Sequence, residues 1–426
     1  MSSILKFPAG CAALLSALLG AGAAWADDVP LLADHIVPIE VRQLQPGDIN
    51  TIFVDVTVCD AAQSCRTVPN VIVDTGSTGL HLYREALDGL ELDAVTTSDG
   101  RPLSHWTGFG SRTIWTTVNS AQVRIGKVST DVIPIALYDK PSPLEQLPAA
   151  YTKVDSRDWL VGIANGVLGI SPRRQLAEGY FVDRHEGGAE SAPDWHEVIV
   201  DTSRQLANPI AHFPVPYNNG SVIKLLGAGP GAAYAKLPGW LGLGIGLPTY
   251  GMFPASARVV SHELDQDGHF PVMVGERRFD VLLDSATNML ALDLDHLGIP
   301  RRGDGGWYYG VSTATPLELT ALCGKRKVKL AQALYVGATD SIFLKPKGYA
   351  VLPSLIVTPK LTGGVSTLGS PFFYGRTVAT GLQGSINPFL QQAPAAGLYG
   401  SVACDEALEP GSPSPYGYVV YTDGAD

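Results

Sequence analysis

Charge is scarce in this chain: Asp, Glu, Lys and Arg together make up 17% of its 426 residues, and 41 acids against 30 bases leave a formal net charge of −11. That balance excludes a surface built to neutralise a nucleic-acid backbone, which needs clustered Lys and Arg. The one basic knot, Lys325 to Lys329, is too short to alter this, so no nucleic-acid partner is expected. Long apolar runs are missing as well. Past the first 26 residues nothing approaches the ~20 apolar residues of a membrane-crossing helix, so no membrane span is expected. Heptad patterns are absent, and 47 Gly with 31 Pro suit many short strands and turns better than helices. An all-β body is the result.

Cysteine is sparse too, at five residues. The N-terminus carries Lys6, an apolar run from Cys11 to Ala24, and Ala24-Trp25-Ala26 before Asp27-Asp28, the pattern of a secretory signal over residues 1–26. The mature protein is therefore expected to be exported, to the periplasm or the extracellular medium. Removal of this segment takes Cys11 with it and leaves four cysteines, which allow three pairings. The pairs chosen are Cys59 with Cys65, which ties the tip of a hairpin, and Cys323 with Cys404, which closes the distal lobe. Four unpaired thiols are the alternative.

A chain of 426 residues exceeds what one hydrophobic core usually serves, so two lobes are expected. Thr51 to Val58 reads as a strand, Cys59 to Arg66 as a polar loop and Thr67 to Val73 as a returning strand that delivers Asp74 to a turn, Thr75-Gly76-Ser77. Further on stands Asn165-Gly166-Val167-Leu168-Gly169-Ile170, whose glycine lets another backbone pass close by. The second half repeats the order: Phe270 to Val274, a turn at Gly275-Glu276, and Phe279 to Leu283 lead into Asp284-Ser285-Ala286-Thr287, and Thr367-Leu368-Gly369-Ser370 follows. Two carboxylates brought face to face by such turns share one proton, because like charges about 3 Å apart cannot both ionise. One acid and one base then occupy a single site, the chemistry of water-mediated peptide hydrolysis.

This reiterated plan resembles the pepsin-like aspartic proteases, in which each of two related β lobes gives one catalytic aspartate to the cleft between them. Asp74-Thr75-Gly76-Ser77 matches the family's first motif in full; Asn165 to Ile170 looks like its first glycine loop, and Leu368-Gly369 with Phe372-Phe373 like its second. The longer phrases from Asn208 to Val215 and from Gly369 to Val378 resemble an uncharacterised family of exported bacterial proteins with the same double-aspartate plan. The resemblance implies a bilobal acid-protease fold, with an N-terminal lobe over residues 27–205 and a C-terminal lobe over 206–426. It also implies that Thr75 and Ser285 bond across the lobe interface and that Ser77 and Thr287 each bond an outer carboxylate oxygen. Neither metal nor organic cofactor is implied. The expected partner is a peptide or protein substrate, met by a monomer.

Two positions depart from that pattern. Ala286 replaces the glycine of the second motif, which keeps the backbone N–H but gives up positive-dihedral freedom and threatens to push the two turns apart. The flap, the hairpin that covers the substrate in the family, ordinarily carries a tyrosine; here the matching position is Phe109, followed by Gly110, and phenylalanine donates no hydrogen bond. Trp106 or Trp115 is the candidate to replace it through its indole N–H. Two functions follow: an exported aspartic endopeptidase, or a catalytically silent protein that binds peptide or another polymer in the same cleft. Gly242-Leu243-Gly244-Ile245-Gly246 lacks the strand-to-helix context of a nucleotide loop, Glu263, Asp265 and Asp267 with Gly268 fit a hairpin turn better than a calcium loop, and the histidines lack metal-ligand spacing.

Overall fold

In the computed structural model of the chain, the described residues are 33–109, 112–139, 147, 163–185, 192–246, 252–253, 258–302, 307–308, 315–323, 326–330, 334–337, 348–390, 402–403 and 411–423. The signal segment, Gly110 and Cys404 lie outside them, as does the Cys323 side chain, so the Cys323–Cys404 pairing falls outside them too.

Strands and short 3-10 turns make up the fold, and no α-helix occurs among the described residues. Strands Ile52–Cys59 and Cys65–Asp74 form an antiparallel hairpin with a bulge between Val54 and Val56. Pairing runs to the Cys59–Cys65 rung, so the connecting loop is shorter than the Cys59-to-Arg66 loop expected, and a disulfide with a Cα–Cα distance of 4.1 Å joins the two ends. Alternation of apolar and polar residues in Ile52–Cys59 gives a sheet with one face in the core.

The hairpin's second strand runs parallel to Gly166–Ile170, with Asp74 opposite Gly169, and the post-aspartate strand Thr78–Tyr83 pairs antiparallel with that same segment. Both strands are buried along their whole length, as expected of β-structure covered on both faces. Gly169 is obligatory here: a Cβ at that position would sit 2.7 Å from the Thr78 nitrogen.

The second half reproduces this unit. Strand Arg277–Leu283 pairs antiparallel with His269–Val274 and parallel with Thr367–Leu368, while Leu290–Ala291, past the second aspartate, lies antiparallel at Ala291 and Thr367. A Cβ on Gly369 would fall 2.3 Å from the Thr287 carbonyl oxygen, the counterpart of the Gly169 constraint. Strand Ile36–Val41 joins the first unit to the middle of the molecule by pairing with Leu237–Leu243, which continues through Gly220–Leu225 and Thr377–Gly381 to Tyr418–Thr422. The bilobal all-β body is thus stitched by a shared sheet. Gly242 lies in one of these central strands, and the chain beyond it has Gly244 and Gly246 at positive φ.

Candidate active site

Each aspartate stands where a strand ends and the chain turns sharply, and the two turns meet. Thr75 and Ser285 lock them together. The Thr75 N–H donates to Ser285 Oγ at 3.0 Å and the Ser285 N–H donates to Thr75 Oγ1 at 3.0 Å. Each hydroxyl also donates to the opposite strand, Thr75 Oγ1 to the Leu283 carbonyl at 3.0 Å and Ser285 Oγ to the Val73 carbonyl at 2.7 Å. Both side chains are fully buried, so none of these four bonds competes with water.

The carboxylates are held in matching fashion. Asp74 Oδ1 accepts from the N–H groups of Gly76 at 2.7 Å and Ser77 at 3.2 Å, and its Oδ2 accepts from Ser77 Oγ at 2.6 Å. Asp284 Oδ1 accepts from Ala286 at 2.9 Å and Thr287 at 3.2 Å, with Thr287 Oγ1 on Oδ2 at 2.5 Å. Six hydrogen bonds fix both acids in one orientation.

Asp74 is 4% exposed and Asp284 is half-buried. Burial, and then the neighbouring Asp284 charge together with a hydrogen bond between the two carboxyl groups, raise Asp74 well above the ordinary carboxylate range, against the opposing bonds from Ser77 and Gly76. One proton is therefore retained in the pair at a pH where isolated aspartates have lost theirs.

Ala286 acts differently from the sequence expectation. Neither it nor Gly76 is among the residues at positive φ, so the turn makes no demand for glycine's dihedral freedom, and the Ala286 N–H keeps its bond to Asp284. The steric demand lies on the other turn, where a Cβ on Gly76 would stand 2.7 Å from Asp284 Cγ. The Ala286 methyl packs with Phe109 and Ile163 against a cluster that includes Phe53, Ile72 and Tyr138.

The flap strands Ser104–Phe109 and Arg112–Ile125 pair antiparallel from Ser104 with Thr117 to Phe109 with Arg112. Phe109 lines the cleft beside both aspartates and meets the buried His81 ring edge-on at 5.3 Å. Trp106 lines a neighbouring chamber. Trp115 is turned away from the cleft, its ring against Phe181 at 5.2 Å and Trp195 at 4.9 Å.

Two adjoining chambers share the walls Gly76, Ser77, Gly108 and Leu282, and one of them is lined by both aspartates. The first, of about 530 Å³, holds the carboxylates and an apolar wall that includes Ile72, Ile163, Met289, Leu361 and Val365. The second, of about 890 Å³, is of mixed polarity, with Arg173, Glu178, Glu197 and Asp267 among its walls. The shared walls make the two chambers neighbours in one groove.

Sequence reasoning passed over two residues here. Asn50, fully buried at φ 55°, donates from Nδ2 to the Asn288 carbonyl at 2.7 Å and to the Leu352 carbonyl at 2.9 Å, and its Oδ1 accepts from Leu352 N at 2.7 Å and the Tyr374 hydroxyl at 2.8 Å. Asn288 Nδ2 returns a bond to the Ile49 carbonyl at 2.6 Å, so the first lobe clasps the turn that carries Asp284. Asp48 lines the apolar chamber; the Pro46-Gly47-Asp48 turn signal ahead of a strand was the only clue to it.

Comparison with known proteins gives a family but no activity. No curated protein matches the chain. Among solved structures, the aspartic proteinase from Irpex lacteus is similar at 13% identity and a TM-score of 0.48, with 81% of this chain and 93% of that one covered. The model of the family described as "Protein of unknown function (DUF3443)" matches residues 32–397, which is most of the sequence, and the chain belongs to that family.

Proposed function

We propose that the protein is an exported aspartic endopeptidase in which Asp74 and Asp284 activate one water between them. The observation that carries this reading is the paired turn: two carboxylates, each held by two backbone N–H groups and one hydroxyl, on turns that Thr75 and Ser285 bond to each other, both lining one chamber.

The buried Asp74, favoured in its neutral form, supplies the acid, and the Asp284 carboxylate supplies the base. Water attacks the peptide carbonyl carbon, its proton passes to Asp284, and the Asp74 proton passes to the carbonyl oxygen to give a tetrahedral diol. Proton delivery to the amide nitrogen then allows the C–N bond to break, and the carboxyl pair ends with the one proton it began with. Fixed N–H donors hold both carboxylates in place throughout, so little reorganisation is needed at the moment of attack. A single chain holds both acids, in keeping with a monomer. The Cys59–Cys65 disulfide and the N-terminal signal pattern support export. No helix among the described residues is long and apolar enough to cross a membrane, a statement that leaves β-barrels untouched.

The test is cleavage of a denatured protein from about pH 3 to about pH 7, with and without pepstatin, by the wild type and Asp74→Asn. Loss of products in the variant supports the reading. Identical products from both remove it and leave the cleft as a binding groove.

A further inference from the structure

Among the described residues, Asp48 is a carboxyl group without a basic partner. It precedes strand Ile52–Cys59 on the Pro46-Gly47-Asp48 turn, is only 9% exposed, and lines the apolar chamber that holds both aspartates. Its contacts stay within its own turn: Oδ2 accepts from the Gln45 N–H at 3.1 Å, and its carbonyl accepts from Gln43 Nε2 at 2.9 Å. Among the described residues no Lys, Arg or His forms an ion pair with it. Burial raises its carboxyl above the ordinary range. Buried carboxylates are normally paired, because leaving an ion in a poorly hydrated site without a partner is costly.

The surroundings say what kind of partner would fit. Among its described walls the chamber has no basic residue, and its only charged ones are Asp48, Asp74 and Asp284. The remaining wall is largely apolar, and Leu361 and Val365 on its rim are 44% and 36% exposed despite their size. An apolar chamber with a carboxyl residue in its wall matches a side chain with a methylene stem and a cationic head. The adjoining chamber adds Glu178, Glu197 and Asp267 against a single Arg173, so the whole groove attracts positive charge.

We propose that Asp48 is a specificity-determining residue, and that the polypeptide bound in this groove is basic and places a lysine or arginine side chain against that carboxylate. This rests on the proteolytic reading and adds to it a class of substrate.

The experiment uses three otherwise identical peptides that carry lysine, norleucine, which keeps its four-carbon stem without the ammonium group, or glutamate at each position flanking the scissile bond in turn. At one position the wild type is expected to cleave the lysine peptide at least about tenfold more efficiently than the norleucine peptide, and the glutamate peptide least. Asp48→Asn should bring the lysine-to-norleucine ratio to within about twofold, while Asp48→Glu, which retains the charge, preserves it. Equal cleavage of all three peptides by the wild type, or a ratio unmoved in Asp48→Asn, overturns the inference while the proteolytic reading stands; Asp48 then only caps its own turn. If Asp48→Asn fails to fold, the wild-type ratio decides alone. If no peptide is cut, proteolysis is refuted separately, and titration of the same peptides into the wild type decides the charge question: tighter binding of the lysine peptide supports it and equal affinity overturns it.

Discussion

Lowering the pH from about 7.5 to about 5 is expected to remove about 6 kcal/mol of stability through three buried histidines. His81, His105 and His262 are almost wholly buried, and each makes bonds that a neutral ring satisfies: His81 Nε2 with the Thr78 carbonyl at 3.1 Å, His105 Nε2 with the Glu178 carbonyl at 3.0 Å, and His262 Nε2 with the Tyr421 hydroxyl at 3.0 Å. Burial pushes His81 down to about 4 and His105 and His262 to about 3. A histidine whose folded value lies below the unfolded ~6.5 adds stability that is complete above 6.5 and is lost as pH falls toward the folded value. At pH 5 the folded rings are still neutral while the unfolded ones are charged, so each contributes a loss of about 2 kcal/mol, whether its folded value is 3 or 4. Asp74 works in the opposite sense: its raised carboxyl favours folding as pH falls. Asp74→Asn removes that opposition. Urea unfolding of Asp74→Asn at the two pH values is the assay, and equal stabilities at both would refute the reasoning. An activity optimum in the strongly acidic range is therefore not expected, because the fold loses much of its margin before that range is reached.

Thr75→Val keeps the shape of the side chain but leaves the buried Ser285 N–H and Leu283 carbonyl without their partner, and should lower the urea-derived stability by about 2–4 kcal/mol. Gly76→Ala should abolish peptide hydrolysis, since its methyl would lie 2.7 Å from Asp284 Cγ; retained turnover would contradict the packing. Ala286→Gly should instead lower stability by about 0.5–1 kcal/mol through added backbone freedom, measured by thermal melting, and a gain in stability would reveal strain at that turn. Gly369→Ala should leave little folded protein by circular dichroism, because its Cβ has the Thr287 and Met289 carbonyl oxygens within 2.3 Å.

Local patterns carried the sequence reading a long way, because a strand, a turn and a glycine at a close approach each leave a mark on neighbouring residues. The hairpins leading to Asp74 and Asp284 and the glycines at 169 and 369 belong to this class. What remained illegible was set by distant contacts. The Asn50 clasp joins positions separated by 238 to 324 residues, and nothing near Asn50 in the chain announces it. Trp106 and Trp115 look equivalent in sequence and stand opposite each other on one hairpin, yet Trp115 packs on Phe181 and Trp195 while Trp106 lines the groove, contacts that elements distant in sequence decide. Asp48 reads as an ordinary turn residue until the fold closes a chamber over it.

The two aspartate turns are alike in their hydrogen bonds and unlike in what surrounds them, and that difference accounts for Ala286. Gly76 presses directly on the Asp284 carboxylate, so the first turn has no room for a side chain. The second turn lies against the first lobe's apolar cluster, where a methyl group finds contacts, and Asn50 and Asn288 tether it across the lobe boundary. A substitution that looks from the sequence like damage to a motif is thus an apolar contact between lobes. The N–H that orients Asp284 survives because it belongs to the backbone, and the glycine that the pair cannot do without is the one at position 76.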